Sequence, residues 1–185
     1  MPAIISMLRG VNVGGHNKIK MDALRALYES LKLRSPQTYV QSGNVIFFSP
    51  EKNLLHLSQR IQDGIHRKFG FRPDVVLRTS AELRNVIANN PFANRRGLDP
   101  SKLLVTFLAS DPGPQARAAI LEIDARGEEL HIRGSELYVY FPNGIGKTKL
   151  SWPLLDKTLK TTGTGRNWNS VTKMLEIAQN LETNP

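Results

Sequence analysis

The hydrophobic period of this chain changes repeatedly, and each change marks an element. Ala3-Ile4-Ile5-Ser6-Met7-Leu8 is a short apolar run that predicts a buried strand. Beyond a glycine-rich loop at 10–19, Met21, Leu24, Leu27, Tyr28 and Leu31 recur at helical spacing and predict an amphipathic helix. Two β-prone runs, 37–41 and 44–48, flank Ser42-Gly43, where glycine can supply the positive φ of a two-residue hairpin turn. Ser49-Pro50 reads as a helix start, with Leu54, Leu57, Ile61, Ile65 and Phe69 on the apolar face and Gly70 as the stop. A strand at 74–78 follows. Thr79-Ser80-Ala81-Glu82 is a capping box that opens a helix running to about Asn89, before Asn90-Pro91.

The order then repeats. After a linker at 92–100, residues 102–108 predict a strand, and Asp111-Pro112 starts a helix carrying Ala116, Ala119, Ile120 and Ile123. Runs at 129–132 and 136–141 predict a second hairpin, turned at Gly134-Ser135. A loop at 142–150 leads to a short helix from Ser151 and a weak strand near 164–166. A last helix runs from about Asn169, with Val171, Met174, Leu175 and Ala178 facing inward. Each half reads β-α-β-β-α-β with an additional helix. The predicted fold class is therefore α+β, as two ferredoxin-like (α-β plait) halves, 1–95 and 96–185. The halves share organisation rather than residues, and a single larger mixed sheet is the structural alternative.

Composition narrows the chemistry. The 185 residues fit one domain or two small ones, and only the polar tail Glu182-Thr183-Asn184-Pro185 reads as disordered. Cysteine is absent, which excludes disulfides, thiol catalysis and thiolate metal sites. No run approaches the roughly 20 apolar residues of a membrane span, and the N-terminus lacks the pattern of a signal peptide, so the expected location is cytoplasmic, with no membrane partner. The net charge of +9 suggests an anionic partner, nucleic acid or a phosphorylated small molecule, or else a merely basic surface. The charge is uneven: between 144 and 173 stand Lys147, Lys149, Lys157, Lys160, Arg166 and Lys173, against Asp156.

Three loops carry candidate chemistry. In the first, Arg9, Asn12, Gly14, Gly15 and Lys18 join a strand to a helix, where glycine amides, a helix start and two cations suit an anion; the same glycines equally suit a tight connection. In the second, Asn143-Gly144-Ile145-Gly146-Lys147-Thr148-Lys149 ends like a phosphate loop. The full pattern needs glycine at 141, where Phe141 stands, so an ATPase is excluded and a simpler anion site on Asn143, Lys147 and Lys149 is kept. In the third, Arg166, Asn167, Trp168 and Asn169 precede the last helix. Either asparagine can cap that helix, and the Arg–Trp pair can grip a phosphate and stack on a ring, or pack in the core. The hairpin turn Gln41-Ser42-Gly43-Asn44 is a fourth polar candidate. Residues 133–140 match an RNA-binding strand signature only at Arg133, Gly134 and Tyr140. The four histidines are scattered without metal-ligand spacing, so no metal site is expected, no cofactor is implied, and no acid–base pair is evident.

These loops resemble the bacterial domain-of-unknown-function 1697 family over nearly the whole chain. The resemblance rests on Arg9-Gly10-Val11-Asn12-Val13-Gly14-Gly15 with Met21, on Thr38-Tyr39-Val40-Gln41-Ser42-Gly43-Asn44, on Pro142-Asn143-Gly144-Ile145-Gly146 with Lys149-Leu150, and on Arg166-Asn167-Trp168-Asn169. It implies a pair of plait-type halves and transfers no catalytic residue.

A plait with strands one and three parallel would put the Arg9 loop and the Gln41–Asn44 turn at opposite ends of the first half. It would likewise separate the Lys147 loop from the Arg166 segment. An anion cleft is then expected where loops of the two halves meet. The functional expectation is a binding protein for nucleic acid, a nucleotide or another phosphorylated ligand. The alternatives are an enzyme on a small phosphorylated substrate and a structural or interaction module.

Overall fold

The computed structural model describes residues 1–184. Among them are six α-helices and two four-stranded antiparallel sheets. The chain forms two compact units. One comprises Met1–Asn85 together with 173–184, and the other Val86–Thr172.

In the first unit, β1 (Ile4–Leu8), α1 (Met21–Ser30), β2 (Arg34–Tyr39), β3 (Asn44–Phe48), α2 (Leu54–Phe69) and β4 (Val75–Thr79) build a sheet of order β2-β3-β1-β4. β2 contains Pro36, which is tolerated because β2 lies at the sheet edge and its register shifts between Arg34 and Gln37. α1 and α2 bury Leu24, Leu27, Leu57, Ile61 and Ile65 against Ile4, Leu8, Val45 and Phe47. One polar pair is enclosed with them: the hydroxyls of Ser6 and Tyr28 bond at 2.7 Å, and burial pushes the Tyr28 phenol well above its ordinary pKa. Helix α2 begins later than Ser49-Pro50 suggests. Asn53 is its cap and accepts from the His56 N–H at 3.0 Å, while Ser49 accepts from Glu51 instead.

α3 (Ser80–Ala88) opens on the expected capping box. The Thr79 N–H donates to Glu82 Oε2 at 2.7 Å, and the Glu82 N–H donates to Thr79 Oγ1 at 3.2 Å. The second unit then forms from β5 (Leu103–Leu108), α4 (Gly113–Leu121), β6 (Glu129–Arg133), β7 (Glu136–Tyr140), α5 (Trp152–Leu159) and β8 (Gly163–Asn167), with sheet order β6-β7-β5-β8. Its core joins Ile120, Leu155 and Leu159 to Leu108, Leu137, Val139 and Phe141.

α6 (Trp168–Thr183) ends the chain, and from residue 173 it belongs to the first unit. There Glu182 Oε1 accepts from the Ala3 N–H at 2.8 Å and the Ser80 hydroxyl at 2.5 Å. The tail expected to be disordered is therefore helical through Thr183, and the Asn184 N–H still bonds Asn180; Pro185 lies outside the described residues.

Candidate functional site: a glycine-loop cleft

The central strands correct the expected layout. β1 is antiparallel to β3, and β5 to β7. The reason is directional: the helical crossover returns β2 parallel to β1, and the hairpin then reverses β3, which slots between them. The end of β1 consequently meets the start of β3. The Arg9 loop and the Gln41–Asn44 turn share one rim, and so do the Lys147 loop and the Arg166 segment. The opposite-end placement fails in both units.

The first rim is tied by backbone and by Asn12. The Leu8 N–H donates to Gly43 O at 3.0 Å and the Arg9 N–H to Asp74 O at 2.9 Å. Asn12 Nδ2 donates to Ile19 O at 3.0 Å and to Gln41 O at 2.8 Å, while its Oδ1 accepts from the Ile19 N–H at 2.8 Å. Asn17 Nδ2 bonds Gly10 O at 3.1 Å. Between the loop and the start of α1 lies an open cleft of about 960 Å³, lined by Asn12, Gly15, Lys18, Lys20, Asp22 and Gln41 among others. Lys20 occupies the N-cap position of α1 and no side chain caps the helix, so its first amides face that end uncovered. Gly14 and Gly15, at φ 58° and 79°, are exposed, and their amides meet no protein acceptor among the described residues. Two lysines, free amides and a helix start thus converge on one opening whose only carboxylate among the lining residues is Asp22.

The remaining sequence candidates divide by what they touch. Arg9 is half-buried beside this loop, and Ser42 accepts from the buried Asn44 Nδ2 at 3.1 Å; that same Nδ2 also donates to Tyr39 O at 3.0 Å. In the second unit Arg166 is buried, with Nη1 donating to Thr164 Oγ1 at 2.7 Å and Gly165 O at 2.8 Å, and burial lowers its pKa to about 10. Asn167 caps α6 by accepting from the Asn169 N–H at 3.0 Å, and it donates to Ser101 O at 2.8 Å. Trp168 is half-buried, while Asn143, Lys147, Lys149 and Asn169 are exposed. Lys18 therefore stands in the cleft with Asn12, Gly15 and Gln41, whereas 143–149 and 166–169 share a rim of the other unit. The reading of residues missed Lys20 and Asp22. The signal was present: Met21 starts the helical spacing, so its predecessor had to be the cap. Among the described residues no group of three His, Asp or Glu side chains could hold a metal ion, and no helix is long and apolar enough to cross a membrane.

The family model described as "Protein of unknown function (DUF1697)" matches residues 1–138, which include the whole cleft. The chain belongs to the DUF1697 family. Among solved structures, this DUF1697 chain is similar to "conserved bacterial protein SP0830 from Streptococcus pneumoniae" at 22% identity, covering 96% of this chain and 98% of that one with a TM-score of 0.76. At that identity the likeness shows a shared fold. No curated protein matches the chain.

Proposed function

We propose that the protein binds a nucleotide or similar phosphorylated ligand in the glycine-loop cleft. The observation that carries this reading is the convergence of Lys18, Lys20 and the uncovered amides of Gly15 and α1 on a single opening of about 960 Å³, the size of a small-molecule site. Phosphate oxygens would take the amides and ammonium groups. Asp22 would accept from a sugar hydroxyl or an amino group at the other side. The lining holds no Ser, Thr, Cys or His side chain, so binding is proposed rather than catalysis.

The reading includes a finer view of the fold. Each unit is a ferredoxin-like plait, and the two are copies related by duplication; the matching strand orders support this. The loop between β1 and α1 runs from 9 to 20, whereas its counterpart in the second unit runs only from 109 to 112, so the cleft was elaborated on one copy. The compartment this implies is the cytoplasm, where nucleotides are held.

Isothermal titration with ATP, GTP and the matching nucleosides tests the proposal. Saturable binding of a nucleotide but not its nucleoside is expected. Lys18→Gln with Lys20→Gln should weaken it at least about 10-fold, since a bond to a charged group is worth about 1.5–3 kcal/mol. Equal heats for nucleotide and nucleoside, or an unchanged double variant, would overturn it.

A further inference from the structure

The loop and helix that follow β7 leave a second combination of features unaccounted for. Ile145, Trp152 and Leu154 are exposed at 45%, 38% and 45% within ten positions of one another, whereas the other exposed large apolar side chains, among them Val13, Val40, Leu55 and Leu121, are spread along the chain. They sit among Lys147, Lys149 and Lys157, all exposed, with Asp156 the sole acid between 144 and 160. The Trp152 ring is propped against buried Phe141, centroids 6.1 Å apart, and Pro153 follows it in the first turn of α5. Leu155 and Leu159 turn into the core, which leaves Leu154 and Lys157, three residues apart, on the outer side of the helix.

We propose that this face of the second unit docks single-stranded nucleic acid, with a base stacked on Trp152 and phosphates on Lys147, Lys149 and Lys157. An indole held at a fixed angle beside mobile ammonium groups is the pairing that single strands use. Any base offers a ring face, and each phosphate neutralised releases counterions. Duplex DNA fits poorly, because its bases are already stacked. An anionic bilayer is the competing occupant. Three half-exposed side chains bury less apolar surface than one myristoyl chain, which alone holds a protein only marginally on a membrane, so the face is too small for that role. The proposal is independent of the cleft reading, since it uses other residues in the other unit.

The test titrates the full chain into labelled oligothymidylate and oligouridylate, with duplex DNA and vesicles of mixed phosphatidylglycerol and phosphatidylcholine as comparison arms. Expected are single-strand binding and quenching of indole fluorescence. Trp152→Phe should abolish the quenching while retaining most binding, because phenylalanine still stacks. Lys147→Gln with Lys149→Gln and Lys157→Gln should lower the slope of log K against log salt by about 2, at about 0.7 per phosphate on a single strand. The charge-matched set Lys32→Gln, Lys52→Gln and Lys68→Gln should leave quenching intact; these lysines are exposed, so neither set threatens the fold. No single-strand binding, quenching that survives Trp152→Phe, equal losses from both lysine sets, or tighter binding to vesicles than to oligonucleotide would each overturn the proposal.

Discussion

Asn12 uses its whole amide to hold backbone: both Nδ2 hydrogens go to carbonyls and Oδ1 takes the Ile19 N–H. Replacing it with alanine should cost about 2–3 kcal/mol, at roughly 1 kcal/mol per bond lost, read as a fall in the urea midpoint. Asn12→Asp should be no better, because it keeps the acceptor and turns a carboxylate toward the carbonyls of Ile19 and Gln41. A neutral alanine variant would show that the loop is held by something else. Asn12 also explains why the site was only partly legible. A polar side chain in a glycine-rich loop looks the same in sequence whether it faces a ligand or ties the loop down. Asn12, Asn44, Asn167 and Arg166 all proved to bond backbone, whereas Lys18 and Gly15 remained open to solvent. Trp152 escaped notice because one tryptophan at a helix start has no pattern around it.

At the scale of elements, periodicity and capping signals located the eight strands and six α-helices of the described residues but not the short 3-10 turns at Pro100–Lys102 and Ile145–Lys147, and the other errors gathered at element ends. The hairpin between β2 and β3 turns over 40–43 rather than two residues, with Val40 at φ 52° and Gly43 at 79°. The glycine was readable and the turn length was not, because length depends on how the turn meets the Arg9 loop. Gly43 is needed for space as well as angle: an added Cβ would lie 3.0 Å from Leu8 Cβ and Cδ1. Gly70 has a similar φ of 82° but open surroundings. Gly70→Ala should therefore cost only the left-handed penalty, about 1–2 kcal/mol, and Gly43→Ala distinctly more. Chemical denaturation of the two variants side by side checks this, and equal costs would refute the packing argument.

For the whole molecule, the element order was legible and strand direction was misread, since direction follows from counting crossovers rather than from any residue. Stability should respond to acid through a few surface carboxylates. Hydrogen bonds hold four of them below their ordinary pKa: Glu51 from the Asn53 N–H, Asp99 from the Ser101 hydroxyl, Asp111 from the Gly113 N–H and Glu129 from the Arg95 guanidinium. The unfolded chain protonates these groups first. Their contribution is thus complete above ordinary carboxylate values, about 3.9 for Asp and 4.3 for Glu, and is lost as pH falls through those values toward the lower folded ones. Urea midpoints should be level from about pH 7 to 5 and decline below about 4.5; a midpoint flat to about pH 3 would contradict this.

The return of residues 173–184 to the first unit has a kinetic meaning. Glu182 can reach Ala3 and Ser80 only after everything between has been synthesised, so a growing chain carries the first unit without the end of α6 while the second unit is made. A ribosome-bound chain halted before residue 173 should remain open to protease across 1–85, and closure of that unit should be among the last events of its folding.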